Sequence, residues 1–251
     1  MIYLVMEAEF KDAEIFKRMM DAVGSLMSDV SVDFNEEGFA IKAMDPANIA
    51  MVLFEAKKSI FSSFNVDKPI KISVSLDDLN SILKLVKKDD KLKLSDSKNK
   101  LILDINGRNK QHFSIPLIDE NYTAQKIPQL KFTAEVTVLS SLIKDSVKAA
   151  SLVDDSIYFT VDRPRFIISS KSEEKEFSQE LSINDNKEIF DMKSDSTTRS
   201  KYSIDYLTKF LYAADPEKPI KMSLSNNYPL KLDFNINSDA AMSFILANRL
   251  E

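Results

Sequence analysis

Apolar residues recur every third or fourth position from Phe10 to Leu26. Ala13, Phe16, Met20 and Val23 line one side with Ile15, Met19, Ala22 and Leu26 beside them, while Lys11, Glu14, Lys17, Arg18 and Asp21 take the other. That period predicts an amphipathic helix. The period then drops to two. Val30, Val32 and Phe34 alternate with polar residues, Glu36-Glu37-Gly38 turns the chain, and Phe39 to Met44 reads as the second strand of a hairpin. Asp45-Pro46-Ala47-Asn48 is expected as a loop, because Pro sets φ and Asp and Asn bond to local backbone. A strand over 49–55 follows, then an uncertain stretch to Asn65. Ile70 to Ser75 leads into a short helix whose polar face would continue through Lys84, Lys87 and Lys88, and strands through Ile105 and over 113–117 end the half.

The whole pattern then returns. Ser75 to Leu83, SLDDLNSIL, reappears as SIDYLTKFL over Ser203 to Leu211, and Lys17 to Phe39 matches Lys144 to Phe166, so two separate segments agree on one repeat length. The second half is expected to start with a strand over 132–136 and a helix over 137–150, with Leu142, Ile143 and Val147 inward and Ser141, Lys144 and Lys148 in a row outside. Strands over 156–161 and 166–170, an alternating run from Phe177 to Ile183, a flexible polar loop over 191–198 and a terminal strand from Ala241 complete it. Residues 118–130 hold no sustained period and contain Pro128, which reads as a connector. The expected division is 1–117, 118–130 and 131–251, of α+β class: two similar domains of antiparallel sheet with helices on one face. Met1 to Met6 is expected as the first strand.

Composition narrows the chemistry. The 251 residues include no Cys, so disulfides, thiolate metal sites and Cys nucleophiles are excluded. Gly24, Gly38 and Gly107 are the only glycines and lie far apart, which rules out a P-loop or a dinucleotide fingerprint. His112 is the sole histidine and is expected as a partly exposed strand residue, while Asp89-Asp90 and Asp154-Asp155 fall in predicted turns. No catalytic constellation emerges, and no cofactor or metal is expected. The N-terminus is apolar for only a few residues, and no apolar run approaches the roughly 20 that a spanning helix needs. The expectation is a soluble, cytoplasmic protein with no membrane partner.

Two charge patterns stand against a net charge of −5 and an isoelectric point near 5.2. Lys17, Arg18, Lys84, Lys87, Lys88, Lys144, Lys148 and Lys209 all fall on the polar sides of the four predicted helices, so the repeat would gather them on one basic surface. The second pattern concerns strand edges. Gly107 to Phe113, including Arg108, Lys110 and His112, is basic, whereas Glu173 to Glu180, including Glu174, Glu176 and Phe177, is acidic. Exposed edges of unlike charge either invite head-to-tail pairing with another chain, which closes into a ring when the rotation permits, or protect the edges against aggregation.

At these residues the chain resembles the sliding clamps of the proliferating cell nuclear antigen type, from archaea and eukaryotes. The likeness rests on Gly38-Phe39-Ala40-Ile41-Lys42-Ala43-Met44-Asp45 followed by Ile49, on the duplicated helix-strand unit, on Asn227 to Leu232, and on Ile245-Leu246-Ala247-Asn248-Arg249-Leu250. The resemblance implies the sliding-clamp fold and a trimeric ring, homotrimer or heterotrimer with paralogous subunits, whose helices line a channel around duplex DNA and contact it without regard to sequence. It implies that DNA polymerase, clamp loader, flap endonuclease and DNA ligase dock through short peptide motifs. Their pocket would use Met44, Asn48, Met51, Ile127, Pro128, Pro229, Ile245, Leu246 and Ala247. It places the protein with the nucleoid, or in the nucleus of a eukaryote. Asn248 stands where similar clamps usually have Pro, and Arg249 keeps the basic charge that follows. A non-DNA oligomeric scaffold and a carboxylate-dependent hydrolase are the other readings open at this point.

Overall fold

The computed structural model describes residues 5–119 and 126–250. Met1 to Leu4 of the expected first strand and residues 120–125 of the connector lie outside the described residues.

The first half runs β1 (Met6–Phe10), α1 (Ala13–Gly24), β2 (Asp29–Asn35), β3 (Gly38–Met44), β4 (Ala50–Lys57), β5 (Phe61–Val66), β6 (Ile70–Ser75), α2 (Leu76–Leu83), β7 (Lys91–Ser97), β8 (Lys100–Asn106) and β9 (Lys110–Pro116). The second half repeats that order: β10 (Ala134–Leu139), α3 (Ser140–Ala150), β11 (Ser156–Asp162), β12 (Arg165–Lys171), β13 (Glu176–Ser182), β14 (Ile189–Ser194), β15 (Thr198–Ser203), α4 (Ile204–Phe210), β16 (Pro219–Leu224), β17 (Leu230–Asn237) and β18 (Ala240–Leu246). Strand neighbours repeat as well. The order β5-β1-β7-β8-β9 returns as β14-β10-β16-β17-β18, and β4-β3-β2-β6 returns as β13-β12-β11-β15. The duplication read from two helix segments therefore extends to every element, and the class is α+β.

The chain divides into two compact units. Unit one comprises residues 1–46, 52–125 and 236–242, and unit two comprises 47–51, 126–235 and 243–251. Backbone bonds explain the two short segments that leave their own half. Within unit one Lys57 N donates to Asp239 O at 2.8 Å, and within unit two Ala247 N donates to Ile49 O at 2.9 Å.

Local chemistry sets the element ends. α1 begins at Ala13 rather than near Phe10, because the Asp12 carboxylate accepts from Glu14 N at 3.0 Å as the N-cap while Phe10 is held in β1. Ser75 caps α2 in the same way, accepting from Asp78 N. The buried stripe of α1, Phe16, Met19, Met20 and Val23, packs over an aromatic cluster: Phe10 lies 4.6 Å from both Phe16 and Phe61, and Phe39 lies 5.1 Å edge-on to Phe54. In unit two Phe210 of α4 stacks on Phe244 at 4.4 Å. Burying one such ring contributes on the order of 2–3 kcal/mol.

Two further expectations change. The stretch after Lys57 becomes a 3-10 turn over Lys58–Ile60 followed by β5. Residues 191–198 are not a loop throughout, since β14 pairs with β10 from Ala134↔Ser194 to Val138↔Ile189 and buries Ile189 and Met192. Their polar neighbours face outward, and a half-exposed edge strand reads as a polar loop when only composition is weighed.

Candidate nucleic-acid interface

The cations of the first half do not all sit where helical spacing predicts. α2 ends at Leu83, with Lys84 as its C-cap, so Lys87 and Lys88 lie in the following turn and not on the helix. The cause is local. Leu85 N and Val86 N bond three residues back, to Ile82 O and Leu83 O, Val86 is buried, and Asp90 Oδ2 accepts from Lys87 N at 2.9 Å. A tightened last turn followed by an acidic clasp reverses the chain.

That turn folds onto α1. Asn80 Nδ2 donates to Met20 O at 3.1 Å, and Lys17 Nζ donates to Val86 O at 3.4 Å while lying 3.7 Å from Glu14. Arg18 is half-buried on the same helix. Asp21 stands among them with its pKa raised, chiefly by burial and against the opposing pull of Lys17 and Lys84. Lys84, Lys87 and Lys88 are exposed and form no ion pair with any described residue. Lys84 and Lys87 share a recess of about 490 Å³ with Asp90 and Arg108. Gly107 makes this fit possible, since a Cβ there would stand 1.8 Å from Asp90 Oδ1.

Unit two repeats the arrangement with fewer free cations. On α3, Lys144 and Lys148 are exposed and without an ion partner among the described residues, and Lys148 occupies the last turn, where the helix dipole favours a cation. On α4, Lys209 lies 2.8 Å from Asp205 and 5.3 Å from the centre of the Tyr206 ring. A groove of about 340 Å³ separates the two helices, lined by Lys144, Lys148, Thr208 and Tyr212. Tyr212, 56% exposed, is a surface that sequence reasoning did not single out.

β9 and β13 each end the strand order of their sheets. Lys110, Gln111 and His112 are exposed on β9, His112 Nδ1 lies 2.7 Å from Asp104 Oδ1, and Arg108 stands in the preceding turn. Glu176 and Glu180 are exposed on β13, and Glu174 precedes it, with Lys171 and Arg165 of β12 at 3.8 and 3.9 Å from Glu176 and Glu180. Phe113 and Phe177 are half-buried within these edges. In the repeat, β9 corresponds to β18 and β13 to β4.

Of the residues expected to form a peptide pocket, eight lie in unit two and Met44 ends β3 in unit one. Asn48 has a φ of 58° and is exposed, a conformation that suits Asn. Met51, Ile245 and Leu246 are buried, whereas Ile127 and Pro128 are exposed and Pro229 and Ala247 half-buried. Tyr228 O accepts from Tyr202 Oη at 2.9 Å, the Tyr228 ring meets Phe132 edge-on at 6.0 Å, and Arg249 N donates to Lys201 O at 2.8 Å. These bonds gather the tail, β15 and the Tyr228-Pro229 turn into one neighbourhood. Burial raises the Tyr202 pKa well above its ordinary value, so the phenol stays a neutral donor. Sequence reasoning missed Arg249 as an anchor: its guanidinium bonds Asp155 Oδ1 at 2.5 Å and Ser156 Oγ at 2.7 Å. Nothing in the spacing of residues so far apart announces that contact.

Among the described residues no group of three or more His, Cys, Asp or Glu side chains is placed to hold a metal ion, and no helix is long and apolar enough to cross a membrane.

Residues 5–122 match the family model for the proliferating cell nuclear antigen, N-terminal domain, and residues 126–249 match its C-terminal domain. The chain is 32% identical over 246 residues to the DNA polymerase sliding clamp of Pyrococcus furiosus, covering 98% of each. Its structure is similar to that of PCNA from Thermococcus kodakaraensis, with a TM-score of 0.93 at 26% identity, covering 97% of this chain and 100% of that one. It is also similar to A. fulgidus PCNA bound to the C-terminal region of FEN-1, with a TM-score of 0.88 at 26% identity, covering 98% of this chain and 99% of that one.

Proposed function

Because this chain belongs to the proliferating cell nuclear antigen family and is a DNA sliding clamp, we propose that Lys17, Arg18, Lys84, Lys87, Lys88, Lys144, Lys148 and Lys209 face duplex DNA and that the expected pocket residues recruit partner enzymes. The observation that carries the DNA reading is the set of exposed cations around α2 and α3 that have no ion partner among the described residues, in a chain of net charge −5. A clamp that slides must hold phosphates without reading bases, and flexible lysines do so as point charges. The acidic remainder of the surface discourages DNA from binding elsewhere. Retention then comes from topology: the ring encloses the duplex.

The duplication supports a model of ring closure. β9 and β13 correspond to β18 and β4, so β9 of one copy adds to β13 of the next, with Arg108, Lys110, His112 and Phe113 against Glu174, Glu176, Phe177 and Glu180. Three subunits close the circle, either of this chain alone or of this chain with paralogues, and the mass of the purified protein, alone and mixed with those paralogues, distinguishes the two.

The clamp runs no reaction of its own and needs no cofactor. DNA polymerase, clamp loader, flap endonuclease and DNA ligase dock by short peptides on Met44, Asn48, Met51, Ile127, Pro128, Pro229, Ile245, Leu246 and Ala247, with aliphatic and aromatic anchors entering an apolar surface. The FEN-1 region bound to the A. fulgidus relative supports that reading. The protein accordingly resides with the nucleoid. The test is retention: loaded protein stays on circular duplex DNA and leaves when the circle is cut. Retention on neither form, with loader supplied, would refute the proposal.

A further inference from the structure

The chain after β18 has no ladder on both sides to hold it, yet within unit two it is fixed at two points. Ala247 N donates to Ile49 O, and two residues later Arg249 N donates to Lys201 O. Between them stands Asn248, a residue without the fixed φ of a proline, whose Nδ2 among the described residues reaches only Arg249 O at 3.4 Å. The restraint comes from the Arg249 side chain. Nη1 bonds Asp155 Oδ1 at 2.5 Å and Ser156 Oγ at 2.7 Å, and Ser156 Oγ in turn lies 2.7 Å from Asp155 Oδ1. One guanidinium thus joins the tail to the start of β11, while Leu250 beyond it is 87% exposed.

We infer that Arg249 is a positioning residue for partner peptides: its pair with Asp155 and Ser156 fixes the backbone of residues 247–249, so that an incoming peptide meets an ordered edge and does not have to order it. The inference rests on the peptide-pocket reading above and deepens it. A loose tail would have to give up its conformational freedom at the moment of binding, which weakens association without altering any direct contact. The charge-assisted bond is also the kind whose removal registers, because a guanidinium and a carboxylate hold each other in fixed geometry. Asp155 and Ser156 need not touch the peptide. Their part is to hold the residue that holds the tail.

The experiment uses the full-length protein and a fluorescein-labelled peptide spanning the C-terminal region of FEN-1, read by anisotropy. R249A and D155A should each weaken binding about tenfold, the R249A/D155A double variant should be no weaker than R249A, and the exchanged pair D155R/R249D should recover most of the loss. Hydrogen exchange at the backbone amide of position 249, corrected for its intrinsic rate, should speed up in both single variants, while the melting midpoint stays within error because the pair lies at the surface. Wild-type protein that binds the peptide, with both single variants within twofold of it or with additive losses in the double, would overturn the positioning role alone. Wild-type protein that binds no such peptide would overturn the pocket reading and this inference together.

Discussion

Lys209 Nζ lies 2.8 Å from Asp205 Oδ2, one turn earlier on α4, so most of its charge is matched within its own helix. The corresponding segment of the first half offers Lys84, Lys87 and Lys88 without ion partners among the described residues. The duplicated segments therefore offer unequal free charge to the phosphates they are proposed to face.

Reversing the first set should accordingly do more than reversing Lys209. The triple variant K84E/K87E/K88E is expected to reduce loading on circular DNA and to flatten the slope of log K against log salt by about 2–3, close to 0.9 for each phosphate that is no longer neutralised. K209E should flatten it by less than about 1. A salt titration of DNA binding by both variants measures this, and equal slopes would show that the Asp205 pair does not mask Lys209.

What the sequence disclosed and what it concealed follow from the range of the physics involved. The duplication was legible because helix and strand periods are local, and Ser75 to Leu83 and Ser203 to Leu211 carry the same apolar spacing over α2 and α4. The end of α2 was not. Lys84, Lys87 and Lys88 continue a helical pattern, and only the Asp90 clasp on Lys87 N and the burial of Val86 stop it. The charges of β9 and β13 were legible because edge strands keep their polar residues in runs. Arg249 with Asp155 was invisible, since a contact across so much chain leaves no spacing to read.

Edge charge should govern ring assembly. In the proposed ring, E176K/E180K places like charge against Arg108 and Lys110 of the next copy, and within its own sheet against Lys171 and Arg165. The variant is expected to elute as a monomer by size-exclusion chromatography with light scattering. Adding R108E/K110E to the same chain should restore at least part of the assembled mass, which a simple failure to fold would not allow.

Glycine positions give a stability test that needs no partner. Gly38 has a φ of +147°, and a Cβ there would lie 2.0 Å from the carbonyl oxygen of Ala56. Backbone cannot move aside cheaply, so G38A should cost about 3 kcal/mol or more in denaturant unfolding. G24A would crowd the flexible Asn80 side-chain amide with its Cβ, at 2.4 Å, and otherwise meet Leu76 Cβ at an ordinary 3.7 Å. It should cost about 1 kcal/mol, the worth of the Asn80 bond to Met20 O. Equal losses would mean that the β3 turn tolerates rearrangement.

Acid should release the tail, and the sign is fixed by Asp155. Hydrogen bonds from Arg249 first and Ser156 second hold its pKa below the ordinary 3.8, against the small opposing effect of burial. A carboxylate with a depressed folded pKa stabilises the folded arrangement above its unfolded value and loses that contribution as pH falls through the folded one. Between pH 5 and 8 the Arg249 contact should therefore be constant, and amide exchange at Arg249, corrected for its intrinsic pH dependence, should show steady protection. Below the ordinary carboxylate range protection should fall in step with protonation of Asp155, followed by its side-chain carbon resonance. R249A should return that titration toward 3.8 and remove the pH dependence of tail protection. An Asp155 titration unchanged by R249A would show that the guanidinium does not hold the carboxylate in solution.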